Sequence, residues 1–217
     1  MGSITRSFAN NINTSGILKP AALTNSSISN VTSYNASVAT GNMVLISSQT
    51  ASNSASISFT TGIDSTYKEY QFWFIDIHPR SDDVGFTFNF STDSGSNYNV
   101  TKTSTFFQAY HQESGVNAGI QYASANDLAQ STSFQQISGA LGNLSDELCA
   151  GVICVFNPSS TTYVKHFIST EIGQQENEQA VSVFVAGYGN TTSAINAIRF
   201  QMSSGNFDGT IAMYGIA

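Results

Sequence analysis

Tyr67-Lys68-Glu69-Tyr70-Gln71-Phe72-Trp73-Phe74-Ile75-Asp76-Ile77-His78-Pro79 is the most apolar run of the chain. Side chains of a strand alternate between its two faces. Tyr70, Phe72 and Phe74 therefore fall on one face and Trp73, Ile75 and Ile77 on the other. A strand apolar on both faces must be covered twice, here by a second sheet and by an arm or a neighbouring subunit. Pro79 is expected to end it, because proline cannot donate to a ladder.

The same period-two habit extends in both directions. Upstream, Met43-Val44-Leu45-Ile46 and Ile57-Ser58-Phe59 read as strands, divided by the polar turn Ser52-Asn53-Ser54 and followed by Thr61-Gly62-Ile63-Asp64. Downstream, Phe86, Phe88 and Phe90 alternate with Thr87 and Asn89. Asp93-Ser94-Gly95-Ser96 then predicts a turn and Tyr98 to Tyr110 a returning strand, together a β-hairpin. Residues 112–119 read as loop, and Asn126 to Gln130 as one helical turn. Further strands are expected near 133–139, 148–156, 162–169, 180–187, 195–202 and 210–216. In the first of the last four blocks Tyr163 shares a face with Phe167, opposite Val164, His166 and Ile168. In 195–202, Ile198, Phe200 and Met202 face the core. Short strands with turns every 8–12 residues and no long 3.6 period predict an all-β fold, an antiparallel β-sandwich of jelly-roll type, over residues 41–217.

Residues 1–40 carry few aromatics and many small polar residues that compete with regular structure. They are expected to form an extended N-terminal arm, with Phe8, Ile12, Ile17, Leu18 and Leu23 as isolated apolar residues for docking on a particle or a neighbouring subunit.

Composition sets the outer limits. Charged residues are 10% of the 217, hydrophobic residues 41% and aromatics 12%, which excludes a disordered chain. The seven basic residues are scattered singly and the net charge is −7, so no basic patch for nucleic acid can be assembled locally. No run of about 18 apolar residues predicts a membrane helix, and the N-terminus lacks the apolar core of a secretory signal. The expectation is a chain with no nucleic-acid or membrane partner. Cys149 and Cys154, five apart on one strand, point to opposite faces and cannot bond to each other; both read as small apolar residues. Asn-x-Ser/Thr sequons, Asn89 and Asn190 among them, are what chance supplies in a chain this rich in Asn, Ser and Thr.

Motifs for chemistry are sparse. His78, His111 and His166 lie at no metal-ligand spacing, and His166 reads as a hydrogen-bonded core histidine between Val164 and Ile168. Asp82-Asp83 and Asp93 are the best carboxylates for a hard cation, yet they match no spaced calcium loop, and Asp93-Ser94-Gly95 makes a good turn unaided. No G-x-S-x-G elbow is present. No cofactor and no enzymatic activity are expected. Tyr34, Tyr98, Tyr110, Tyr122 and Tyr188 sit beside Asn, Gln or Gly, as interface or sugar-stacking residues do.

Several segments resemble a family of virion structural proteins of tailed bacteriophages infecting marine cyanobacteria. They are SITRSFANNINTSG at 3–16, ASISFTTGIDSTYKEYQFWFIDIHP at 55–79, DLAQSTSFQ at 127–135, FNPSSTTYVKHFIS at 156–169 and AINAIRFQMSSGNFDGTIAMYGI at 194–216. The closing segment is the most specific. The resemblance implies a non-enzymatic component on the exterior of a phage particle, either capsid decoration or a tail or fibre appendage. It would act by self-assembly and by docking on other virion proteins of the capsid, portal or tail. The two-faced strand and the apolar C-terminus suit a homo-oligomer, with a trimer as the expectation and Trp73, Tyr214 and Ile216 as its contacts. The alternative is a receptor-binding module in which Tyr98, Tyr110, Tyr122 and Tyr188 hold host cell-surface polysaccharide.

Overall fold

The computed structural model describes residues 42–217. The expected N-terminal arm, with Phe8, Ile12, Ile17, Leu18 and Leu23, lies outside the described residues, as does Tyr34. Twelve strands follow one another: β1 Met43–Ser54, β2 Ile57–Phe59, β3 Glu69–Pro79, β4 Phe86–Ser91, β5 Lys102–Gln112 and β6 Ala118–Tyr122, then β7 Gln135–Gln136, β8 Cys149–Phe156, β9 Lys165–Gln175, β10 Gln179–Gly189, β11 Ala197–Met202 and β12 Phe207–Ile216. No helix occurs among the described residues. Asn126 to Gln130 is turn and irregular chain, not the expected helical turn.

All pairings are antiparallel, in one sheet of order β1-β12-β3-β8-β9-β10-β5-β6 and another of order β2-β11-β4-β7. The order β1-β12-β3-β8 against β2-β11-β4-β7 is that of a jelly roll. Strands next to each other in sequence (β1 and β2, β3 and β4, β7 and β8, β11 and β12) take corresponding places in opposite sheets, as a folded ribbon rolled on itself requires. Two hairpins, β5–β6 and β9–β10, are inserted into that plan and widen one sheet to eight strands.

The core is a phenylalanine cluster between the sheets. Phe200 of β11 stacks on Phe86 of β4 at 5.8 Å and meets Phe72 of β3 at 5.6 Å. Phe59 of β2 meets Phe72 edge-on at 5.4 Å, and Phe88 meets Phe167 of β9 at 5.1 Å. The small sheet reaches only part of the inner face of the large one. The remainder, where Val181, Val183, Val185 and Phe106 are buried, is covered by the chain between β6 and β8. That cover is pinned by Ala123 N–H to Phe106 O at 2.9 Å, Leu128 N–H to Ser104 Oγ at 2.9 Å and the bridges Lys102–Ser131 and Leu141–Gln175.

Several local expectations are corrected. Tyr70, Phe72 and Phe74 do face the core, but Ile77 joins them instead of Trp73 and Ile75. The cause is a bulge: Asp76 sits at φ 52° and the β3 ladders with β8 and β12 both slip there, which reverses the alternation. β3 does end at Pro79, as expected.

Phe86–Phe90 and Tyr98–Tyr110 are not a hairpin. The Asp93 turn is present, with its carboxylate accepting from the Ser91 hydroxyl at 2.6 Å and the Asn97 N–H at 2.9 Å. However, β4 pairs with β11, where Phe90, Phe88 and Phe86 face Ile198, Phe200 and Met202, while β5 lies in the other sheet. Turn chemistry reverses the chain but does not choose its sheet.

Of the expected loop 112–119, Gln112 still belongs to β5 and Ala118 and Gly119 begin β6, and 133–139 contributes only two ladder residues. Tyr163 precedes β9 and is exposed. Lys165 takes the inner position, so His166 is exposed as well and is no core histidine.

Candidate interaction face

The large sheet has one inner and one outer face, and the outer one is unusual. Its central row crosses all eight strands: Ser48, Ala212, Trp73, Val152, Thr170, Phe184, Phe107 and Tyr122, each the register partner of the next. On one side of it runs Leu45, Tyr214, Gln71, Cys154, Ile168, Ala186 and Thr105. On the other side lie Thr210 beside Ile75, then Ala150, Ile172, Ser182, Ala109 and Ile120.

None of these side chains is charged. Trp73 is 41% exposed, Ile172 58% and Tyr122 55%. Of the twelve large hydrophobic residues left exposed among the described residues, eight lie in these rows and Met43 in the adjoining one, beside Ile216 and Glu69, the exceptions being Val116, Leu144 and Tyr163. Scattered exposed hydrophobics are ordinary, whereas a contiguous apolar patch of this breadth marks an interaction surface.

Near its middle the face is indented by a shallow groove of about 370 Å³, with Trp73 and Ile172 beside the small residues Ala150, Gly151 and Ser182. Gly151 cannot be enlarged, since a Cβ there would stand 2.3 Å from Thr170 O and 2.8 Å from the Phe74 ring. Trp73 is held upright by its indole N–H donating to Gln71 Oε1 at 3.0 Å, and Gln71 donates in turn to Glu69 at 2.7 Å.

The outer face of the small sheet is different in kind. Arg199 donates to Ser58 Oγ at 3.0 Å and lies 4.1 Å from the centre of the Tyr98 ring. The Thr87 hydroxyl donates to Gln201 O at 2.8 Å, and the Asn89 amide to Tyr98 O and Thr132 O at 2.8 and 2.9 Å. Polar groups there bond to their own chain.

Besides Glu147, whose carboxylate accepts from Leu144 N–H at 2.7 Å, three buried ionisable groups that sequence reasoning did not single out lie among the described residues. Lys102 is fully buried; its ammonium donates to Val100 O at 2.9 Å and to Asn89 Oδ1 at 2.5 Å, and burial pushes its pKa down to about 7. Lys165, also in the inner row and flanking the same Gly189, donates to Tyr163 O and Thr191 O, and its pKa is likewise lowered by burial. Glu171 is 3% exposed and neither carboxylate oxygen has a hydrogen-bond partner, so burial drives its pKa well up. A buried carboxyl without partners is held neutral. Burial and the nearby Glu171 raise the Cys149 thiol too, while burial and Glu69 bring Cys154 to about 11. Both cysteines are free.

Trp73, Tyr214 and Ile216 lie together on the apolar face, on the neighbouring strands β3 and β12. The four loop tyrosines do not converge. Tyr122 is on the apolar face at the β6 edge, where its hydroxyl donates to Asp127. Tyr188 is on β10, its ring 6.3 Å from His166. Tyr110 packs against the core. The Tyr98 ring lies beneath Arg199 with its hydroxyl buried. Asn89 is buried, which places that sequon out of reach. His78 pairs with Leu144 O at 2.8 Å, and His111 is exposed. Among the described residues no group of three His, Cys, Asp or Glu side chains is placed to hold a metal ion.

Comparison with known proteins leaves the face to speak for itself. No protein-family model, curated protein or solved structure matches this chain. The residues that sequence reading missed are Phe107, Ile120, Ile168, Ile172 and Phe184. Each sits two residues from another apolar or small outward side chain, a signal legible only once the strands are known to be neighbours.

Proposed function

We propose that the protein is a non-enzymatic structural component of a tailed-phage particle, an exterior accessory protein of capsid or tail that works by self-assembly and docking. The observation that carries this reading is the set of three adjacent uncharged rows across the outer face of the eight-stranded sheet. Water-exposed tryptophan, phenylalanine and isoleucine in three adjacent rows cost free energy that burial against a protein surface recovers, at roughly 25 cal/mol per Å² of apolar area. Catalysis, by contrast, requires titratable groups to converge in a cleft. Lys102 is sealed within the sandwich, and Glu171, which borders the groove beside Trp73, keeps both carboxyl oxygens buried and is the only titratable residue lining it. The segments at 55–79 and 194–216, which carry the resemblance to cyanophage virion proteins, supply β3 and β12, two strands of this face.

The test is mass spectrometry of purified particles, with copy number, followed by particle reconstruction. Several hundred copies per particle would place the protein on the shell and a few to tens on the tail. Particles that lack the polypeptide would refute the reading.

A further inference from the structure

We infer that the apolar face takes a second copy of the same face, so that two chains stack large sheet on large sheet about a two-fold axis. This deepens the self-assembly part of the reading above and names its partner.

Three observations carry it. The first is area. The three uncharged rows span about 20 Å along the strands and about 35 Å across them, from the spacing of residues and strands in a sheet. That is on the order of 700 Å² per copy and 1,400 Å² for a pair, within the range of stable, specific interfaces.

The second is charge. The chain carries −7 and its copies repel at long range. The rows through Trp73, Ile168 and Ile172 contain no charge of either sign, so this surface is one on which two acidic copies can meet without placing carboxylates together. A basic partner would be met by an acidic surface, and this one offers none.

The third is shape. A two-fold axis lays one patch against itself over its whole extent. Under three-fold symmetry each copy meets two neighbours, and one broad face cannot lie flat against both. Two such sheets pack about 10 Å apart in aligned sandwiches. The groove beside Trp73 then receives side chains of the facing copy.

The experiment is sedimentation equilibrium on the full chain, with Thr170→Glu and Ile172→Lys as variants. Thr170 is exposed at the middle of the central row, so a carboxylate there is desolvated and faces the partner. Wild type is expected at twice the chain mass, and either variant at the chain mass, its dissociation constant raised at least about a hundredfold by burial of unpaired or like charge. Gln201→Glu, on the polar outer face of the other sheet, should leave the pair intact. Circular dichroism establishes that the variants are folded. An independent measurement on unaltered protein is acrylamide quenching of Trp73, the only tryptophan, which should rise on dilution together with the loss of the pair.

Three outcomes overturn the inference: a wild-type monomer at micromolar concentration, a three-copy assembly, and a pair unaffected by both variants with quenching independent of mass. A monomer whose Trp73 is already shielded would give the face to another segment of the chain and overturn it equally. Purified protein decides this question and particle composition decides the former. A pair formed by a polypeptide absent from particles would sink only the virion reading.

Discussion

Glu171 makes the sandwich weaker as pH rises through the acid and neutral range. Below about pH 4.3 the carboxyl is protonated in folded and unfolded chains alike. Above that the unfolded chain releases its proton, while the folded chain keeps it, because both oxygens are buried without a donor and burial raises the folded-state pKa. The folded state then binds more protons, so stability falls with pH by up to about 1.4 kcal/mol per unit until the folded-state pKa is reached. The loss accumulates over whatever pH interval separates the unfolded-state value from the raised folded-state one, against the roughly 5–15 kcal/mol of a typical domain. Glu171→Gln keeps the shape of the neutral acid and cannot ionise. It should lie within about 1 kcal/mol of wild type at pH 4 and become progressively the more stable of the two as pH rises, by no more than about 1.4 kcal/mol per pH unit. The assay is urea unfolding followed by far-ultraviolet circular dichroism across this range, with the difference between the two proteins cancelling every other titration. Equal slopes in wild type and Glu171→Gln would refute the reasoning.

Lys102 acts in the opposite direction at higher pH. Its folded-state pKa near 7 lies below the unfolded value of about 10.4, so stability should rise with pH between the two, and Lys102→Met should abolish that rise in the same unfolding series. Its burial also predicts that an amine-acylating reagent modifies exposed Lys68 in the native protein and spares Lys102, readable by peptide mass mapping. Phe200 touches rings from both sheets, and Phe200→Ala should cost about 3–5 kcal/mol in the urea midpoint analysis. Asp76→Gly should preserve or raise stability, since glycine accepts φ 52° without strain. Asp76→Val should lower it by about 1–2 kcal/mol, measured by thermal melting.

Period-two alternation of large apolar residues determined, from sequence alone, that this is an antiparallel β-sandwich. It also put Tyr70, Phe72 and Phe74 on one face of their strand and assigned Ile198, Phe200 and Met202 to the core, because the face a residue takes on a strand depends only on its parity. Parity carried the reading until the chain broke it. One left-handed residue, Asp76, moved Ile77 from one face to the other, and no local signal at Ile75-Asp76-Ile77 announced it.

What the tertiary structure decided is which strands lie side by side. The Asp93 turn looks the same in sequence whether its flanking strands pair or part to opposite sheets. The choice came from β11, a hundred residues away, whose Ile198, Phe200 and Met202 match the phenylalanines of β4.

The candidate site depended on the same long-range decision. Trp73, Tyr214 and Ile216 could be picked from their own strands. Val152, Ile168, Ile172, Phe184 and Phe107 became one surface only when the β9–β10 and β5–β6 hairpins were inserted beside β8. An apolar residue on the outer side of a lone strand is unremarkable, and a row of them across eight strands is a surface for a partner, because hydrophobic association scales with contiguous area.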